Sequence, residues 1–139
     1  MSGLRRVAAR PTWLLSRANA RAQGQLADAF GAEGVRGYHF RLLAAIDQYG
    51  PASQADLGRL TGIDRSDVVA TLNELVARGL AHREPDLSDR RRNVVTLTKR
   101  GADTLQRLDA VLDDVQNTVL APLTPRERET FVRLLAKLM

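Results

Sequence analysis

The run DLSDRRR, residues 86–92, sets three consecutive guanidinium groups, Arg90, Arg91 and Arg92, behind the carboxylate of Asp89 and leads straight into the alternating apolar segment NVVTLT. Adjacent cations repel one another, so such a run is tolerable only where solvent screens the charge or a polyanion neutralises it. A solvated charged loop is one reading, and a contact with nucleic-acid phosphate is the other. Other chemistry is thin. The two histidines, His39 and His82, belong to different segments, and no His-Glu-x-x-His, Cys-x-x-Cys or Gly-x-x-x-x-Gly-Lys-Ser/Thr motif occurs. The glycine-rich GAEGVRG lacks the lysine and the preceding strand of a phosphate loop, and reads as a connector. No catalytic residue, metal site or cofactor is expected, and the chain is read as a non-enzyme.

The composition agrees with a binding protein. At 139 residues, with 44% hydrophobic and 27% charged, the chain suits one folded domain and argues against extensive disorder. Its formal net charge of +5 points to an anionic partner. Nearly all the positive charge is arginine, and Arg5, Arg6, Arg10, Arg17 and Arg21 all precede the first acid, Asp28. Guanidinium forks suit phosphate or carboxylate. The absence of cysteine excludes disulfides, thiolate metal sites and thiol redox sensing. The N-terminal stretch lacks the apolar run of a signal peptide, and nowhere do enough apolar residues stand together to span a bilayer. A cytoplasmic protein without a membrane partner is expected.

The elements that would position the charged run can be read from periodicity. PTWLLSRANARAQGQLADAF places Leu15, Ala18, Ala22, Leu26 and Ala29 at helical spacing, and GAEGVRG breaks it. A second helix carries Leu42, Leu43, Ile46 and Tyr49 and stops at Gly50-Pro51. Ser53 and Asp56 make a capping-box-like start for a short helix that Gly62 ends. Asp64 is placed to cap the next helix, which sets Val68, Leu72, Leu75 and Val76 on one face and meets Gly79 at its end. The period then changes: LAHRE and NVVTLT flank the charged loop as two short antiparallel strands. Thr98 can cap a long helix striped by Leu105, Leu108, Leu112, Val115 and Val119. The last helix starts at Thr124-Pro125 with Glu127 completing a capping box, and Phe131, Leu134, Leu135 and Leu138 share one side.

A short helix, the turn LTGID and a longer helix form a helix-turn-helix, and the ribbon behind it would be a wing. ADLGRLTGIDRSDVVATLNELVARGL, together with a wing tip bearing Asp-x-Arg and a following strand ending in Leu-Thr, resembles the MarR family of winged helix-turn-helix transcriptional regulators. The resemblance covers nearly the whole chain. It implies a mainly α fold with a small β wing: one domain over 1–139, with a winged helix-turn-helix at 35–97, its wing at 80–97, and dimerisation helices at 11–30 and 98–139. It implies that Arg91 enters the minor groove of double-stranded DNA, that Asp89 pairs with it or holds the loop, and that Arg90 and Arg92 reach phosphates.

Projection of the longer helix leaves Ser66, Ala70, Asn73 and Ala77 opposite the apolar face, flanked by Asp67 and Val69. Family members often carry a basic residue where this chain has Ala70. What remains for base contact is Asn73, suited to adenine, with Ser66, and Val69 or Ala70 against a thymine methyl. Ser53, Gln54, Arg59 and Arg65, at helix starts, are placed for phosphates. Long apolar stripes in the terminal helices imply a partner surface, as in the family's homodimers, and a dimer suits a palindromic operator. The family's small effectors, aromatic or anionic, would find Trp13, Arg17, Tyr38, His39, Phe40 and Arg41 as a ligand pocket, although such residues also serve as ordinary core. The resulting expectation is a homodimeric repressor released by a small molecule. The alternative is a winged-helix protein-interaction module that does not bind DNA specifically.

Overall fold

Helical periodicity resolves into six helices, α1 (Pro11–Ala32), α2 (Gly37–Tyr49), α3 (Gln54–Thr61), α4 (Arg65–Ala77), α5 (Lys99–Val119) and α6 (Pro125–Ala136). The strands are β1 (Ala52–Ser53), β2 (Ala81–Pro85) and β3 (Asn93–Leu97). The computed structural model describes residues 4–139, which separate into one unit of residues 30–111 and another of residues 4–29 with 112–139. The fold is mainly α with a small winged β-sheet, as the residue patterning implied.

In the first unit, Leu42, Leu43, Leu57, Leu72, Leu75, Val95 and Leu108 lie fully buried, so α2, α3, α4, β3 and α5 each supply side chains to one core. Phe30 stacks on Phe40 with ring centroids 5.7 Å apart. On α4, Val68, Leu72 and Leu75 point inward as projected. Val76 is exposed instead, and Thr71 takes the buried place beside Leu72. The sheet has three strands in the order β1-β3-β2 rather than two. Ala52 pairs with Val95 on one side and Arg83 pairs with Val95 on the other, both antiparallel. A two-residue strand is too short to show alternation, so β1 left no periodic signal.

Caps set the joints. Ser53 accepts from the Asp56 amide at 3.1 Å to start α3, and Gly62 ends it with φ 69°. Thr98 accepts from the Gly101 amide at 3.0 Å to start α5, and its hydroxyl donates to the Gly79 carbonyl at 2.6 Å. Gly101 is dictated by close approach, because a Cβ there would lie 1.9 Å from the Leu80 carbonyl oxygen. Asp64 does not cap α4 through its side chain. Its carboxylate accepts the Ser66 hydroxyl at 2.7 Å instead. The glycine-rich connector also begins later than expected, with α1 running to Ala32 and Gly34 turning the chain at φ 72°.

His39 is the buried polar link between α2 and α4, at 1% exposure. Its Nδ1 accepts the Arg36 amide at 2.9 Å, and its Nε2 lies 2.6 Å from Glu74 Oε2, which also accepts from the Arg36 guanidinium at 2.7 Å. The first contact needs an unprotonated Nδ1, which leaves the proton on Nε2 to be donated to Glu74. Burial holds the imidazole below its usual value, with Arg78 and Arg36 acting the same way and Glu74 opposing them. A depressed histidine contributes stability that is complete above the unfolded value of about 6.5 and is lost as pH falls through the folded value. The melting temperature should therefore drop between pH 7.5 and acid, and His39→Gln should show a smaller drop. Equal pH dependence in the two proteins, measured by calorimetry, would remove His39 from this role.

In the second unit, the capping box at Thr124 and Glu127 starts α6 as its sequence implied, with the Glu127 carboxylate accepting the Thr124 amide at 2.9 Å. Arg128 donates to the Leu120 and Leu123 carbonyls at 3.1 and 3.2 Å. They brace the turn after α5, in which the Leu120 carbonyl also accepts the Leu123 amide at 2.9 Å.

Candidate nucleic-acid interface

The charged loop between β2 and β3 is closed by its acids. Asp86 Oδ1 accepts the Ser88 amide and hydroxyl at 2.9 and 2.8 Å, and its Oδ2 accepts Arg92 Nε at 2.8 Å. The Asp86 amide donates to the Arg92 carbonyl at 2.9 Å, so the two residues clamp the base of the tip. The Ser88 amide and the Arg92 guanidinium hold the Asp86 carboxyl down to about 2. Asp89 Oδ1 accepts both the amide and Nε of Arg91 at 3.1 Å. The Arg91 side chain remains 92% exposed. Of the three arginines, Arg92 is committed to shaping the loop, Arg91 is oriented yet open to solvent, and Arg90 is exposed. Sequence reasoning gave the holding role to Asp89 and missed Asp86, which lies on the strand side of the turn and repeats the same Asp-to-Arg logic across a longer span.

A cleft of about 340 Å³ behind the sheet, lined by Asp47, Thr96 and Lys99 among others, gathers none of the expected contact residues. A larger cleft of about 660 Å³ does. Ser53, Gln54, Arg59, Arg65, Val69, Arg91 and Arg92 all line it, so the starts of α3 and α4 and the base of the wing open onto one concave surface. Within it, Ser53 is buried, and its hydroxyl oxygen accepts the Asp56 amide in the α3 cap. Arg59 pairs with Asp56 from the last turn of α3 rather than its start, whereas Gln54 and Arg65 stand at helix starts as expected. The amide groups at those starts carry the positive end of the helix dipole, which adds to the side-chain charge.

Ser66, Ala70 and Asn73 are exposed along the outer side of α4 and Val69 is partly so. Two of them are less free than their types suggest. The Ser66 hydroxyl donates to Asp64, and the Asn73 Oδ1 accepts Arg83 Nη2 at 2.9 Å. The Asn73 Oδ1 thus already holds one donor, the Arg83 guanidinium, beside which an adenine amino group would have to fit. Arg83 itself had no signal in the sequence, since it stands at an ordinary position of a short strand.

The residues expected around a ligand fall in different units. Arg17 sits over the Trp13 ring at 5.7 Å, and Arg41 sits over the Tyr38 ring at 5.6 Å. Phe40 stacks in the core, and His39 is sealed between α2 and α4. His39 therefore has a structural task that already uses both ring nitrogens. Among the described residues no group of three or more His, Asp or Glu side chains is placed to hold a metal ion.

The sequence model of the MarR family matches residues 33–92. The HTH-type transcriptional repressor NicR of Pseudomonas putida is 32% identical over 100 residues, which cover 72% of this chain and 63% of that protein. The chain thus matches under two thirds of NicR. A probable transcriptional regulator of Pseudomonas aeruginosa superposes with a TM-score of 0.83 at 33% identity, covering 94% of this chain and 98% of that one. BpsR of Bordetella bronchiseptica, whose DNA binding is regulated by 6-hydroxynicotinic acid, superposes with a TM-score of 0.82 at 27% identity over 95% of this chain and 94% of its own.

The clamp at the base of the tip yields a test that runs against simple charge counting. Asp86→Ala raises the net positive charge, which by itself should strengthen attraction to DNA. Loss of the anchor should instead loosen the tip and weaken binding to duplex DNA several-fold at constant salt. Filter binding, with hydrogen exchange across residues 86–92, checks both effects. Tighter binding with an unchanged tip would show that the clamp is dispensable.

Proposed function

The chain belongs to the MarR family, and on that footing we propose that it is a homodimeric regulator of transcription that binds a palindromic site in double-stranded DNA and acts as a repressor. The cleft shared by the starts of α3 and α4 and the wing base carries the proposal, because it gathers Gln54, Arg65, Arg91 and Arg92 on one face. Phosphates along one backbone would be neutralised there, the outer side of α4 would meet the major groove, and Arg91, held by Asp89, would enter the adjacent minor groove. Arg90 adds a phosphate contact. The exposed small residue Ala70 favours one competing reading, in which the winged helix binds a protein and no specific DNA.

Dimerisation is supported by the apolar side chains that a single chain leaves uncovered. Phe131, Val132, Leu134 and Leu138 of the C-terminal segment are exposed, as are Trp13, Leu14 and Leu15 of α1. Such density of exposed apolar surface marks an interface. A regulator of this kind works in the cytoplasm, without catalysis, metal or cofactor. Among the described residues no helix is long and apolar enough to cross a membrane.

The deciding experiment is a titration with random duplex DNA at two salt concentrations, followed by a site selected from random sequences. Arg90→Ala should reduce the salt slope by about 1, and Arg91→Ala should weaken the selected site by roughly 1–3 kcal/mol. Sedimentation of the same preparation should report a dimer. Absence of DNA binding at low salt would favour the protein-interaction reading, and a folded monomer at micromolar concentration would overturn the dimer.

Control by a small aromatic acid follows from the likeness to BpsR and from the two arginine–aromatic pairs, Arg17 with Trp13 and Arg41 with Tyr38, each able to hold a carboxylate beside a ring. Linkage requires that an acid which weakens DNA binding should itself bind the DNA complex less tightly, by the same factor. Thermal-shift screening of salicylate-like and hydroxynicotinic acids should yield a hit whose shift shrinks in Arg17→Ala or Arg41→Ala. A hit that binds free protein and complex equally, or that neither variant weakens, removes these residues from control.

A further inference from the structure

Beyond Arg65 at its first residue, the outer side of α4 lacks a basic residue of its own, yet a guanidinium reaches it from another element. Arg83 on β2 donates from Nη2 to Asn73 Oδ1 at 2.9 Å, and its Nε is buried without a hydrogen-bond partner. The strand that carries it is fixed, since Arg83 pairs in register with the fully buried Val95. We propose that Arg83 and Asn73 act together as one reader of guanine in the major groove, an inference that rests on the DNA-binding reading above.

The chemistry of the pair selects the base. Asn73 Oδ1 accepts from the guanidinium, so the Nδ2 amide group is the end of Asn73 left to donate to DNA. The two side chains thus present donors only. The major-groove edge of guanine carries two acceptors, N7 and O6, and no donor. Adenine sets its amino donor beside N7, where it would meet the guanidinium; cytosine presents an amino donor; thymine offers one acceptor and a methyl group. Guanine alone fits, with Nδ2 donating to N7 and Arg83 donating to O6.

The burial of Arg83 Nε bears on the same point. A buried N–H without a partner costs free energy, and its presence in a folded protein needs a reason. A guanidinium held partly out of water by its strand and by Asn73 loses little further freedom on binding, which is what a base contact requires. Arg83 thereby supplies from β2 the cation that Ala70 does not supply from α4.

The test is selection of duplexes from a random library by the full chain, followed by base-analogue substitution. The selected site should carry guanine at one position in each half. Replacing that guanine with 7-deazaguanine keeps base pairing and removes the N7 acceptor. It should weaken binding by the parent protein within the range of roughly 5- to 150-fold that one good base contact spans, and leave Asn73→Ala unaffected. Arg83→Gln should lose the preference at that position while keeping the rest of the site. If Arg83→Gln weakens every sequence evenly, or if the parent tolerates 7-deazaguanine at each selected guanine, the pair does not read guanine. Because the analogue arm uses the unaltered protein, its outcome does not depend on how the variants fold. A chain that binds no duplex at all fails the DNA-binding reading and this inference with it, whereas a selected site indifferent to Arg83 and Asn73 fails this inference alone.

Discussion

Mutual repulsion among Arg90, Arg91 and Arg92 is the constraint around which the wing is built. Three neighbouring guanidiniums would by themselves splay a loop, and the chain answers with two carboxylates at different depths. Asp86 sits at the base, where its side chain is only 14% exposed and it clamps Arg92, while Asp89 sits at the tip and orients Arg91. Ion pairs whose guanidinium stays in solvent contribute little to overall stability. Their effect is conformational: they decide which guanidinium shapes the loop and which is offered to solvent. A carboxyl held down to about 2 keeps its charge, and so its clamp, across the whole physiological range.

The helix that faces the same cleft is fixed by a different balance. Val68, Leu72 and Leu75 anchor it in the core, and Glu74 is tied by Arg36 and His39 to the start of α2. Apolar burial provides the bulk of the free energy, whereas the His39 contacts tie α4 to the start of α2 through Glu74. The outer side is therefore free to be small. Ala70 and Ala77 are exposed on it, with Ser66 and Asn73 as the polar residues between and beside them. Both are already partnered, by Asp64 and Arg83, which turns two adaptable side chains into fixed ones.

Helix order, caps and core were legible in the sequence for physical reasons. The 3.6-residue period of α2, α4 and α5 forces their apolar residues to one side, and the caps at Ser53, Thr98 and Thr124 follow from local donor and acceptor geometry within a few residues. So did the charged wing, since a run of arginines needs no tertiary information to be seen. Asp64 shows the limit of local reasoning: residue type and position suited a cap, but a hydroxyl two residues on competed successfully for the carboxylate.

Only tertiary structure decided what is non-local. The β1 strand exists because β3 offers it an edge, and His39 is a link between helices because Glu74, 35 residues away, meets its ring. Arg83 reaches Asn73 across ten residues by way of a turn between a helix and a strand. Asp86 finds Arg92 because the chain doubles back. Period and propensity act over neighbours and were therefore determined by the sequence itself, whereas the partner of each polar group depends on which segments the buried core brings face to face.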